Sequence, residues 1–187
     1  MTPRTLTRML TGACVLLLLA GLALADDVRP VGKSFMFARK PISFNLIDNP
    51  DFSTLARALK VTKLERALLL GGSFTLLAPD NAAFAKIPPD ELEHLFRRVN
   101  LDELARIVAC HVIANNDLAG AKLLPLFKVG KKLSVVTLGG CVLTAELSGG
   151  ALLFTDETGA VAHATLTDIV QSNGMIEIID GVIRPKS

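Results

Sequence analysis

The segment Asn173-Gly174-Met175-Ile176-Glu177-Ile178-Ile179-Asp180-Gly181-Val182-Ile183-Arg184-Pro185 limits what this chain can fold into more than any other stretch. Asn-Gly is a strong turn dipeptide. Behind it, Ile176, Ile178, Val182 and Ile183 read as strand, with Asp180-Gly181 as a break or bulge. So apolar a strand is not stable in water. It is expected to pair inside the protein, so that the chain closes its own core with its last segment. An upstream counterpart is Phe74-Thr75-Leu76-Leu77-Ala78-Pro79-Asp80-Asn81-Ala82-Ala83-Phe84. It reads as strand, proline stop and helix cap, with Asp80 accepting from backbone N–H groups at the start of a short helix, worth roughly 1 kcal/mol.

Arg4 and Arg8 precede an apolar run from Val15 to Leu24, and Ala23-Leu24-Ala25 is followed by Asp26-Asp27. This is the pattern of a secretory signal over residues 1–25. The run is short for a membrane span of about 20 residues, so cleavage is expected, with retention as an anchor the alternative. Without Arg4 and Arg8, the twenty basic residues fall to eighteen, equal to the eighteen acidic ones. A neutral domain has no field for nucleic acid, whose phosphates supply most of such affinity. Residues 26–41 show no clear periodicity and hold Pro30, Gly32 and Pro41; they read as a lead-in arm to a domain over 42–187.

Regular structure is expected from Asn49-Pro50-Asp51. Phe52, Leu55, Ala56 and Leu59 have helical spacing. Thr62-x-x-Glu65 reads as a capping box for the next helix, with Leu64, Ala67 and Leu68 on its face. Pro88-Pro89-Asp90 opens a helix with Leu92, Leu95, Phe96 and Val99 inward. Asn100-x-x-Glu103 caps another. A short helical turn is expected over 117–124. Leu133–Leu138, Cys141–Leu147, Ala151–Asp156 and Val161–Val170 then read as strands separated by glycine turns. Cys141, Leu143, Ala145 and Leu147 share one face, which turns Cys141 inward. Helices first and strands later predict an α+β fold.

The two segments together resemble the two boxes of the fasciclin domain family. Phe74, Thr75, Ala78, Pro79, Asp80, Asn81 and Phe84 match the first, and Asn173, Gly174, Ile176, Ile178 and Asp180 the second. Between them the family has a Tyr-His pair; here it is Cys110-His111. The resemblance implies a β-sheet wedge or sandwich with several short helices packed around it. It also implies a non-enzymatic exported domain, secreted, periplasmic or in the cell envelope. Its expected role is adhesion, as a monomer holding a protein or a cell-surface polysaccharide. Asp168-Ile169 matches a family adhesion element, and His111 is the family histidine; these three are the partner-binding candidates. His111 is expected to bond Asp80 or Asn81, or else to pack against water. Two departures stand out: Glu177 replaces a common histidine, and Cys110 replaces the tyrosine. Fasciclin-like proteins associated with lipids or pigments give the alternative, a carrier of a small apolar ligand in a hydrophobic cleft. The mean hydropathy of +0.46, raised in part by the signal segment, is in keeping with it.

No catalytic set, cofactor motif or metal cluster emerges. His94 lies on a polar helical face, and no histidine pair has the spacing of a helical metal site. Asp156-Glu157 offers too few ligands for calcium. Cys110 and Cys141 fit either a disulfide or two buried thiols. A bridge closing about 30 residues would contribute roughly 3–4 kcal/mol.

Overall fold

The computed structural model describes residues 27–70, 72–114 and 132–186. The expected signal over 1–25 and the expected turn over 117–124 lie outside them. Within the segment read as a lead-in arm, residues 28–37 hold regular structure. Strands β1 (Val28–Val31) and β2 (Ser34–Phe37) form a hairpin, with Gly32 at φ +57° in its two-residue turn. Val31 and Met36 are buried. Helix α1 (Ile42–Ile47) follows, so regular structure starts well before Asn49.

Helices α2 (Ser53–Val61), α3 (Leu64–Leu70), α4 (Asn81–Phe84), α5 (Pro89–Leu95) and α6 (Leu101–Ala109) are short. Three expectations fail in detail. The Thr62 hydroxyl donates to the Ala58 and Leu59 carbonyls, ending α2 instead of opening α3. Asn100 stands at the start of α6 but turns its side-chain amide back to the His94 carbonyl. Val99 falls beyond the end of α5 and is exposed.

Seven strands form one sheet in the order β4-β3-β9-β8-β7-β6-β5. They are β3 (Phe74–Pro79), β4 (Val112–Ala114), β5 (Lys132–Val136), β6 (Val142–Ser148), β7 (Ala151–Thr155), β8 (Val161–Gln171) and β9 (Gly174–Ile179). The contact of β3 with β9 is parallel, joining the first box to the second residue by residue from Phe74↔Gly174 to Pro79↔Ile179. Every other pair is antiparallel. After β9 the chain leaves the sheet, so Val182 and Ile183 do not extend the strand.

Side chains alternate across a strand, and here the alternation feeds two cores. Leu76, Ala78, Val112, Ile176 and Ile178 face the helices and pack with Leu46, Phe52, Leu59, Leu104 and Val108. Leu77, Ile113 and Ile179 face the other way, into a second core with Leu143, Ala145 and Phe154. The sheet folds over that second core. Its far end returns where Leu138 N–H donates to the Val112 carbonyl and Gly139 N–H to the Ala109 carbonyl. Burying Ile176, Ile178 and Ile179 contributes roughly 5–9 kcal/mol, as much as the net stability of many whole domains.

Candidate functional site

The boxes act on backbone geometry. Asp80 caps α4 by accepting from Ala83 N–H at 2.7 Å. Asn81 accepts from Thr54 N–H at 3.0 Å and donates to the Pro50 carbonyl. Asn173 accepts from Ile42 N–H at 2.9 Å and donates to the Leu68 carbonyl, pinning α1 and α3 to the start of β9. Gly174 holds φ +147°, and a Cβ there would lie 2.0 Å from the Phe74 carbonyl oxygen. Only glycine allows the close parallel approach of β3 and β9. Asp180 accepts from His163 N–H at 2.7 Å and pairs with Lys86 at 3.2 Å. Burial pushes its pKa up, but those bonds and the charges of Lys86 and His163 together hold it below the ordinary value. Thr75, Ala78, Pro79, Phe84, Ile176 and Ile178 are buried.

His111 does not bond Asp80 or Asn81. Its Nδ1 lies 2.8 Å from the Ile107 carbonyl, and its Nε2 accepts from Ile183 N–H at 3.0 Å. The reason is the sheet's sidedness: His111 sits where α6 runs into β4, while Asp80 and Asn81 cap the helix beyond β3. A carbonyl on one ring nitrogen and an N–H on the other admit one neutral tautomer, with the proton on Nδ1. Burial lowers the His111 pKa to about 4, against the opposing bond to Ile107 and the charge of Asp156. The adjacent Cys110 is bonded to Cys141, with a Cα–Cα distance of 5.4 Å. These cysteines therefore form a staple, and no thiolate is available at either. Asp156 is likewise saturated by donors, accepting from Thr158 N–H and Oγ1, Ala160 N–H and Arg184 N–H. Among the described residues no group of three metal-ligating side chains occurs.

Asp168 and Ile169 stand where β8 bulges. Register shifts fall between Ala164 and Leu166 and between Leu166 and Ile169. Asp168 takes φ +59°, a left-handed conformation that aspartate tolerates better than most residues. The two neighbours separate completely. Ile169 is 1% exposed and belongs to the helix-side core, and His111 is equally buried. Neither presents surface to a partner. Asp168 is half-buried and lines a groove of about 630 Å³ between β8 and the hairpin, with Arg29, Pro30, Ala38 and Val170. Arg29 Nη1 donates to the Asp168 carbonyl at 2.8 Å across that groove.

Beneath the bulge lies a group whose role the sequence did not reveal. Glu177 is fully buried, accepts from Asp168 N–H at 3.1 Å through Oε2, and leaves Oε1 without a partner. Desolvation, then the nearby Asp168 charge, raises its pKa to about 8, against the bond from Asp168 and the charge of Arg29. Thr75, on the same face of the paired strands, leaves its hydroxyl unpartnered as well. An acid at an inward position of a period-two strand was the available signal.

A mixed sheet closed by its last strand, locked by a buried histidine and stapled by a disulfide, defines a scaffold domain with its exposed loops outside the lock. The fasciclin domain model matches residues 50–185. The chain belongs to the fasciclin domain family. It is 36% identical to protein sll1483 of Synechocystis over 141 residues, covering 73% of this chain and 69% of that one. Identity to transforming growth factor-beta-induced protein ig-h3 of Oryctolagus cuniculus is 31% over 134 residues, 72% of this chain but 18% of that protein. Immunogenic protein MPB70 of Mycobacterium bovis is 26% identical over 167 residues, 87% of this chain and 78% of that one. A FAS1 domain pair from the insect cell adhesion molecule fasciclin I shares the fold. Its TM-score is 0.50 at 20% identity, over 75% of this chain and 43% of the pair.

Proposed function

We propose that this is an exported, non-enzymatic fasciclin domain that holds a protein or a cell-surface polysaccharide, in adhesion or in the cell envelope. The observation that carries the reading is the β8 bulge. It turns Asp168 to a left-handed conformation at the mouth of a groove, while every other family motif residue is spent on folding. Bulges re-aim a side chain out of the regular pleat and are over-represented next to functional sites. The pattern of Arg4, Arg8 and Val15–Leu24 supports export to the periplasm or beyond. Family membership supports adhesion, and fasciclin I, which shares the fold, is an insect cell adhesion molecule.

The test is complementation of a deletion strain, scored by surface attachment. Asp168→Ala alone is the informative variant, because Ile169→Ala would open the core. The expected result is a protein that melts within a few degrees of wild type, since no large buried contact is lost, and attaches poorly. Normal attachment by a normally exported Asp168→Ala protein would remove the site.

A further inference from the structure

We infer that Glu177 is a positioning residue for the Asp168 groove, and that its proton decides whether Arg29 holds the Asp168 carbonyl or turns to the Glu177 carboxylate. Both roles rest on the reading of that groove as the contact site. Two side chains from separate elements grip one residue at the β8 bulge. Glu177 Oε2, on β9, accepts from the Asp168 N–H at 3.1 Å. Arg29 Nη1, on β1, donates to the Asp168 carbonyl at 2.8 Å. The register of β8 on β9 breaks between Leu166 and Ile169, and Asp168 takes its left-handed φ of +59° inside that break. The regular ladder is interrupted there, so these two side chains set the shape of the bulge.

Glu177 lacks the bonds that would steady a charge. It is fully buried, and its Oε1 has no hydrogen-bond partner. On one side, β3 places Leu77 opposite it and Thr75 on the same face, and β4 follows with Val112–Ala114; none of these ionises. His111, just before β4, is neutral above pH 6 because its pKa is about 4. The second core next to Leu77 and Ile179 is apolar. On the other side, β8 supplies Asp168, whose charge opposes ionisation, and the hairpin supplies Arg29, whose charge favours it. Asp27, the other acid of the groove, is paired with Arg39 at 2.5 Å. While Glu177 keeps its proton it is a neutral peg under the bulge, and Arg29 stays on the carbonyl. Burial maintains that state up to a pH of about 8. Once the proton leaves, a buried carboxylate stands uncompensated, a state that proteins relieve by pairing. Arg29 is the cation at hand, and a carboxylate is a stronger acceptor for a guanidinium than a carbonyl is. Arg29 therefore leaves Asp168, the bulge loses its outer hold and the groove changes shape. Attachment through Asp168 weakens as the pH rises past that point.

Carbon-detected NMR of the protein, produced from the full chain as the host processes it, tests this without a partner. The Glu177 carboxyl carbon, the Asp168 carbonyl carbon and Arg29 Cζ are followed from about pH 6 to about pH 9.5, above the range in which the Asp168 side chain ordinarily titrates. All three should move together, with one midpoint at about 8. In Glu177→Gln, which mimics the protonated acid, the Asp168 and Arg29 carbons should stay still. Still carbons at Asp168 and Arg29 while Glu177 titrates overturn the proposal. So does the same movement in Glu177→Gln, or a Glu177 carbon already ionised at the start. If the glutamine variant does not fold, Arg29→Met serves instead: without the cation the Glu177 midpoint should rise, and an unmoved midpoint overturns the coupling. Attachment separates the regulation from the site. Where Asp168→Ala attaches poorly, wild-type attachment that is equal at about pH 7 and about pH 9 overturns the regulation and leaves the site standing. Where Asp168→Ala attaches normally, the site falls, and the carbon shifts still decide whether Glu177 governs Arg29.

Discussion

His111 and Glu177 are both buried, and both are uncharged near neutrality. They differ in how their polar atoms are met. Both ring nitrogens of His111 are bonded, one to α6 and one to the segment beyond β9. Glu177 bonds through one oxygen, at the bulge that displays Asp168, and leaves the other unmatched; the Thr75 hydroxyl on the same sheet face is unmatched too. A buried polar group that is fully bonded specifies a structure, and one that is half bonded costs stability. At the lock every buried polar atom of the histidine is matched, and at the bulge a buried carboxyl group is left half matched. Natural proteins break local rules most often at functional sites.

The largest expected effect is a loss of stability as the pH rises from about 4.5 to 8. The unfolded Glu177 loses its proton near pH 4.5 and the folded one near pH 8. Its contribution is present in full below pH 4.5 and is lost as the pH rises through 8. The loss is on the order of 3–5 kcal/mol, taking about 1.4 kcal/mol per unit. Urea unfolding of Glu177→Gln should show that loss abolished, and a wild-type loss retained in the variant would break the comparison. His111 acts with the opposite sign. The unfolded imidazole takes a proton near pH 6.5 and the folded one near pH 4. Stability present above 6.5 is therefore lost on acidification to 4, by about 3 kcal/mol. His111→Ala should remove that acid limb and cost roughly 3 kcal/mol at pH 7, from two lost bonds and a cavity. Between about pH 4.5 and 6.5 the two slopes oppose each other, so wild-type stability should be flat there.

Reduction of Cys110–Cys141, 31 residues apart, should lower the unfolding free energy by roughly 3–4 kcal/mol, measured with and without a thiol reductant. Thr75→Val carries the smallest effect, a gain of up to about 1 kcal/mol, because it deletes an unpartnered hydroxyl and keeps the shape. A destabilised Thr75→Val protein would mean that the hydroxyl is satisfied in solution.

Much of the fold was legible because the cues were local. The glycine turns placed β5 to β8 within a residue or two, and Asp80 capped its helix as expected. Cys141 turned inward because its strand alternates. The hairpin at 28–37 was not legible: one face is buried, the other is apolar and exposed, and Pro30 reads as a breaker. Thr62 fits a capping box in sequence but finds carbonyls one turn behind it. His111 was identifiable as the family histidine and was expected to bond Asp80 or Asn81, yet its partners, Ile107 and Ile183, depend on which side of the sheet the chain passes, which spacing does not encode. The Asp168-Ile169 pair was visible as a pair. Only the β8 bulge shows that one faces a groove and the other the core.

Amide hydrogen exchange of Ile176, Ile178 and Ile183, compared with Leu76 and Leu77 in β3, tests the closing role of the last segment most directly. If that segment locks the domain, all five amides exchange only through global unfolding and share one protection free energy. Fast exchange at Ile183 together with Ile176, while β3 stays protected, would show a chain end that frays from a core already complete without it.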